Sequence, residues 1–152
     1  MESRVKITSD REMSIESLLN APVALVWKVF TEPEHIASWW GPEGFTNTID
    51  KMDVRPGGVW EFTMHGPDGK DYKNKAVYIA IAPFRKIMFD HFAPNFKTSI
   101  DFTEQNDQTQ ISWNMLFETS ELFNIVVKTF KADEGLEQNI TKLKAYLAIL
   151  RQ

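Results

Sequence analysis

The sequence predicts an α+β fold in which an antiparallel sheet packs against a long C-terminal helix. Three changes of pattern predict it. Apolar residues recur at helical spacing from Pro22 to Trp40, alternate with polar ones from Phe45 to about Glu118, and then return to helical spacing up to Leu150. A sheet with one apolar face and a helix with one apolar stripe each lack a partner, and each supplies the other's.

Residues 12–19 form a candidate first strand. Pro22 suits a first helical turn, and Val23, Val26, Trp27 and Phe30 follow at i, i+3, i+4 and i+7 on one face. Pro33 opens a second short helix with Ile36, Trp39 and Trp40 on its apolar side, and Gly41-Pro42 stops it. In the alternating region the clearest strand is 57–65, where Trp60, Phe62 and Met64 share one face. "GPDG", residues 66–69, reads as a hairpin turn. Further strands are expected over 73–82, 86–92, 96–104 and 109–118, the last with Ile111, Trp113, Met115 and Phe117 on one side. A shorter helix suits 120–130, and Leu136, Ile140, Leu143, Leu147 and Leu150 stripe a long terminal one. Gly135 costs roughly 1 kcal/mol against alanine inside a helix, so either the helix begins near it or close packing favours it.

Composition narrows the function classes. A chain of 152 residues with 43% hydrophobic content supports one domain, 1–152, with its own core. The net charge of -4 provides no field to recruit nucleic acid or an anionic membrane. The chain has no cysteine, which excludes disulfides and thiolate chemistry. The polar N-terminus lacks a signal-peptide core and no stretch approaches a membrane span, so a cytoplasmic location is expected.

The stretches "APVALVWKVFTEPEHIASWWGPEGF", "DVRPGGVWEFTMHGPDGKDY" and "EGLEQNITKLKAYL" resemble the Hsp90 ATPase activator homologue 1-like (AHSA1-type) family of the START/Bet v 1-like superfamily, also described as SRPBCC or polyketide cyclase-like. The resemblance runs from about Ile15 to Leu150 and is carried by "WWGP", "RPGG-x-W" and "GPDG" in this order. It implies a helix-grip fold, a curved antiparallel sheet wrapped around a long C-terminal helix with two short helices after the first strand. It also implies a cavity between sheet and helices that takes apolar or amphipathic ligands. The chain departs from the family pattern at Leu136, where many relatives have tryptophan, and at Ala76, where many have glycine. A single proline also stands in residues 82–85 where a pair is common.

Trp39 and Trp40 can serve as lid or wall at a cavity mouth, or as anchors of the short helices. Adjacent helical residues diverge by about 100°, so one ring is expected in the core and its neighbour at the rim. Trp60, Phe62, Met64, Tyr78, Trp113 and Met115 are the candidate lining of the sheet face, with ordinary core packing as the alternative. If Ile87 and Phe89 face inward, so does His91, which could recognise a polar ligand end or serve as a structural histidine. No catalytic residue is assigned; His91 is the weak candidate, and Asp90 points to the opposite face. His35, His65 and His91 lie on different elements, so no metal is expected, and no motif calls for a cofactor. The charged residues Glu134, Glu137, Lys142 and Lys144 read as a solvated helix face.

Three functions follow in order. The first is a protein that binds a small apolar or amphipathic molecule between sheet and terminal helix. The second, implied by the resemblance alone, is a regulator of an Hsp90-type chaperone ATPase acting by protein contact. The third is a cyclase- or hydrolase-like enzyme using His91 or Tyr78. Monomer and homodimer are both compatible with an exposed sheet edge.

Overall fold

The computed structural model describes residues 3–151. Its strands are β1 (Lys6–Ser9), β2 (Glu12–Leu19), β3 (Thr46–Met52), β4 (Val59–His65), β5 (Asp71–Ala82), β6 (Lys86–Phe92), β7 (Phe96–Gln105) and β8 (Gln108–Phe117). Helices α1 (Val23–Thr31) and α2 (Pro33–Ile36) separate β2 from β3, and α3 (Ser120–Lys128) and α4 (Ala132–Leu150) end the chain. The strands form one antiparallel sheet in the order β1-β2-β8-β7-β6-β5-β4-β3. Six consecutive strands thus make a meander, while α1 and α2 carry the chain from one side of the sheet to the other. This is the helix-grip architecture.

Register makes the apolar face continuous. Phe117 pairs with Phe96, Phe96 with His91, His91 with Ala76, and Ala76 with Trp60, so one row of side chains crosses five strands on the same face. A parallel row runs through Ile15, Trp113, Ile100 and Ile87. Leu136, Ile140, Leu143 and Leu147 of α4 are buried with them. Each such side chain contributes about 1.5–3 kcal/mol by leaving water.

Several details differ from the sequence expectation. Strand β1 was not anticipated, and the region opening at Phe45 resolves into the separate strand β3. Helix α2 ends at Ile36, so Trp39 and Trp40 stand in the turn after it. On α1 the buried residues are Val26, Val29 and Phe30, with Trp27 only partly covered. Helix α4 starts before Gly135, whose added Cβ would come no closer than 3.4 Å to Pro42. The "RPGG" turn does demand its last glycine: a Cβ on Gly58 would lie 1.9 Å from the Asp53 carbonyl oxygen. Both border strands are irregular, since the pairing slips between Ile7 and Ser9 on β1 and between Ile49 and Lys51 on β3. Among the described residues no helix is long and apolar enough to cross a membrane.

Candidate ligand-binding site

The two tryptophans after α2 have different fates. Trp39 is fully buried, meets Phe30 edge-on at 4.8 Å, and its indole Nε1 donates to the Val29 carbonyl at 2.9 Å. Trp40 is only partly covered, and its ring is inserted between two strands. It stacks on Trp113 of β8 at 5.3 Å and 21°, and meets Trp60 of β4 edge-on at 5.0 Å. Strands β4 and β8 are four spacings apart in the sheet, which on a flat sheet would be about 19 Å. Both rings touch Trp40, so they are within about 10 Å of each other. The sheet's curvature brings them there.

The other expected lining residues extend this cluster. Phe62 and Phe89 lie 6.4 and 6.5 Å from Trp40. Trp60 stacks on Phe62 at 4.4 Å and lies parallel to Tyr78 at 6.1 Å. Met64 and Met115 are partly buried against the core, and the Met64 methyl sits 2.7 Å from where a Cβ on Gly41 would be. Gly41 also has φ +96°, a backbone conformation that disfavours any side chain, while the Met64 methyl would have to move aside.

His91 is buried on the same face but belongs to another group. Its ring stacks on Phe96 at 4.5 Å, and Phe96 leads on to Phe117 and Phe123. Nδ1 lies 2.9 Å from the Pro94 carbonyl and Nε2 lies 2.8 Å from Asn74 Oδ1. A neutral ring donates from one nitrogen only, so the two contacts compete for one proton while the Asn74 NH2 group donates to the Tyr72 carbonyl at 3.0 Å. Burial pushes the His91 pKa down, partly countered by the Pro94 carbonyl, and burial pushes the Tyr78 hydroxyl up.

The segment carrying Trp40 is tied down by groups that sequence spacing did not reveal. Lys142 Nζ on α4 lies 3.2–3.4 Å from the carbonyls of Trp40, Gly41, Pro42 and Phe45, which share its three N–H donors. Burial lowers the Lys142 pKa, while nearby Glu43 opposes the shift. Asn139 donates to the Trp39 carbonyl at 2.9 Å, and Asn47 of β3 donates to the Trp40 carbonyl at 2.7 Å. Of the four charged α4 residues expected to be solvated, Glu134 is exposed, whereas Lys142 is half-buried, Glu137 accepts from the Val5 amide and Lys144 donates to Ser3.

Three buried polar atoms here have no partner among the described residues: Trp60 Nε1, Trp113 Nε1 and Asn47 Oδ1. Two surface cavities lie elsewhere. One of about 270 Å³ opens at the β6–β7 end beside Arg11, His91 and Glu118, and one of about 360 Å³ lies between Arg4, Glu43 and α4. Glu32, Glu34 and His35 place possible metal-ligand atoms within 4.8 Å of one another, a grouping that histidine spacing alone does not reveal. On the outer sheet face Thr48, His65 and Asp71 are hydrogen-bonded in line at 2.7 and 2.6 Å, open to solvent.

The family model described as activator of Hsp90 ATPase homolog 1-like protein matches residues 20–148. No curated protein matches the chain. Among solved structures, a protein from Mycobacterium smegmatis is 24% identical with TM-score 0.87, covering 99% of both chains. One from Arthrobacter aurescens is 21% identical with TM-score 0.88, covering 95% of this chain and 90% of that one. The AHSA1-like protein from Aeromonas hydrophila is 18% identical with TM-score 0.71, covering 88% and 92%. At these identities the likeness is one of fold.

Proposed function

The chain belongs to the activator of Hsp90 ATPase homolog 1-like family, and from that premise we propose that it binds a small apolar or amphipathic molecule between its sheet and α4. The supporting observation is the insertion of Trp40. Its ring is partly open to solvent, lies between Trp113 and Trp60, and rides on a segment without regular secondary structure. Polar side chains from α4 and β3 hold that segment, and the proposed binding requires it to shift so that the ring-lined Trp40 slot opens. Trp39, Phe62 and Phe89 border the ring, Met64, Tyr78 and Met115 belong to the same core, and His91 lies further along the same face. A cytoplasmic setting without nucleic-acid or membrane partners fits the chain's mild acidity.

Native mass spectrometry and a thermal-shift panel of fatty acids, sterols, flavonoids and aromatic polyketides test this. A ligand at 100 times its dissociation constant adds about 2.7 kcal/mol. Trp60→Ala is expected to abolish the shift. No copurified mass and no shift across the panel would overturn the proposal.

A second reading, control of a chaperone ATPase by protein contact, takes its support from the family description and from apolar surface at Ile125 and Phe130, 52% and 72% exposed. A pull-down with the ATPase and its turnover rate decide it; no capture and unchanged turnover would reject it. Acid–base catalysis by His91 or Tyr78 has less support, because both His91 nitrogens are engaged and the Tyr78 proton is held more tightly than usual.

A further inference from the structure

On the outer face of the sheet, away from Trp40 and His91, three neighbouring strands each contribute one polar side chain to a single line. Side chains alternate between the core and the outside along β3, β4 and β5, which puts Thr48, His65 and Asp71 on the side opposite Trp60 and Phe62. In register His65 stands opposite Asp71 on β5 and Thr46 on β3, yet the hydroxyl it meets is that of Thr48. His65 Nε2 lies 2.7 Å from Thr48 Oγ1, and Nδ1 lies 2.6 Å from Asp71 Oδ1. A carboxylate only accepts, so Nδ1 donates to it, and the neutral ring is left with a bare Nε2 that accepts from the Thr48 hydroxyl.

This is the order in which a hydroxyl becomes a nucleophile: hydroxyl to base, then base to a carboxylate that fixes its tautomer. Stability does not account for it, since exposed ion pairs contribute only about 0–1 kcal/mol, and the His65 and Asp71 side chains are 38% and 63% exposed. The neighbouring hydroxyl on the same face, Thr63, is buried and donates to Asp50 at 2.9 Å with no histidine between them. Thr48, in contrast, is exposed, and its branched Cβ limits the rotamers that could carry the oxygen away from the ring. Strand β3 is also a border of the sheet, so every second amide along it faces no strand partner. One such amide belongs to Thr48 or to Ile49, a donor available to the oxygen of a reacting carbonyl.

We propose that Thr48 is a self-acylation site that takes a short acyl group from an activated ester or thioester. As Thr48 Oγ1 bonds to the carbonyl carbon, its proton passes to His65 Nε2. The tetrahedral adduct then collapses: the bond from that carbon to the leaving oxygen or sulfur breaks, and the leaving group takes the proton back from Nε2. Thr48 is left as an acyl ester and His65 as the neutral ring. Asp71 is a positioning residue that keeps the remaining proton on Nδ1. Neither of the cavities described above is lined by any of the three, so the site favours a small acyl group that needs no pocket. It lies apart from the concave face and stands whether or not a ligand binds there.

The full chain is incubated with p-nitrophenyl acetate, and the acetyl group is located by peptide mass mapping before and after neutral hydroxylamine, which removes an ester and leaves a lysine amide. Thr48 is expected to be acetylated about a hundredfold faster than Thr46, the exposed hydroxyl two residues away, given what a positioned base contributes. His65→Gln should lower the Thr48 rate by about the same factor. Asp71→Asn should lower it at least about tenfold and move the His65 proton from Nδ1 towards Nε2 in imidazole nitrogen NMR, a change that lost stability alone does not produce. Thr48→Val should abolish the hydroxylamine-sensitive label at this position. Equal acetylation of Thr48 and Thr46 in the wild type, or an undiminished Thr48 label in His65→Gln, would overturn the proposal. The wild-type comparison decides it even if a variant fails to fold.

Discussion

The two ends of the concave face are built from the same kinds of side chain and finished differently. At the His91 end the imidazole stacks on Phe96 and both ring nitrogens are engaged. At the Trp40 end a partly exposed ring is wedged between two indoles whose N–H groups have no partner, and side chains of α4 and β3 clamp the segment that bears it. The difference teaches that aromatic content does not mark a binding site. What sets the Trp40 end apart is buried N–H groups without a partner beside a half-exposed ring.

The strongest way to break this contrast is to compare the adjacent tryptophans. Trp39→Ala is expected to cost about 3–5 kcal/mol in urea denaturation, because it removes a fully buried ring and its hydrogen bond. Trp40→Ala should cost clearly less; an equal loss would mean that Trp40 is core and its slot is not a site. Next comes Lys142→Met, expected to cost about 1–3 kcal/mol and to raise acrylamide quenching of tryptophan as the Trp40 segment loosens. Unchanged quenching would show that the lysine does not restrain that segment. Gly135→Ala should stabilise by up to about 1 kcal/mol, since the new methyl meets Pro42 at ordinary contact distance. A loss of stability there would mean that α4 and the loop pack too tightly to admit it.

The smallest expected effect sharpens the other side of the comparison. Burial depresses the folded-state pKa of His91 below its ordinary 6.5, so between the two values the unfolded chain binds more protons. The resulting stability is present above pH 6.5 and is lost as pH falls through the depressed value. Urea midpoints measured across this range should decline on acidification, and His91→Gln should flatten the decline. An unaltered slope in the variant would assign the decline to other groups.

The sheet and the terminal helix were legible because half-buried elements write their burial into the period of the sequence. Strand β1 was not, for all four of its residues are exposed and Ile7 sits among polar neighbours. The divergence of Trp39 and Trp40 was expected from helical geometry, although both lie beyond the end of α2, and the meeting of Trp60 and Trp113 around Trp40 was not expected. It depends on the curvature of the whole sheet, which no local pattern encodes. The inward direction of His91 came from alternation along β6, whereas its Pro94 and Asn74 partners depend on a turn and on cross-strand register. Lys142 was misread as solvated because its acceptors are backbone carbonyls, which every residue has and no sequence advertises.

The slipped pairing on β1 and β3 has a consequence for the protein in a crowd. These strands are the two free borders of the sheet, and border amides and carbonyls invite a neighbouring chain to continue the ladder. Each border is interrupted part-way, and β3 carries Asp50 and Lys51 at its interruption. An approaching copy finds no straight seam to join on either side. The ladder stops at each border, and concentrated solutions should hold separate particles rather than growing threads.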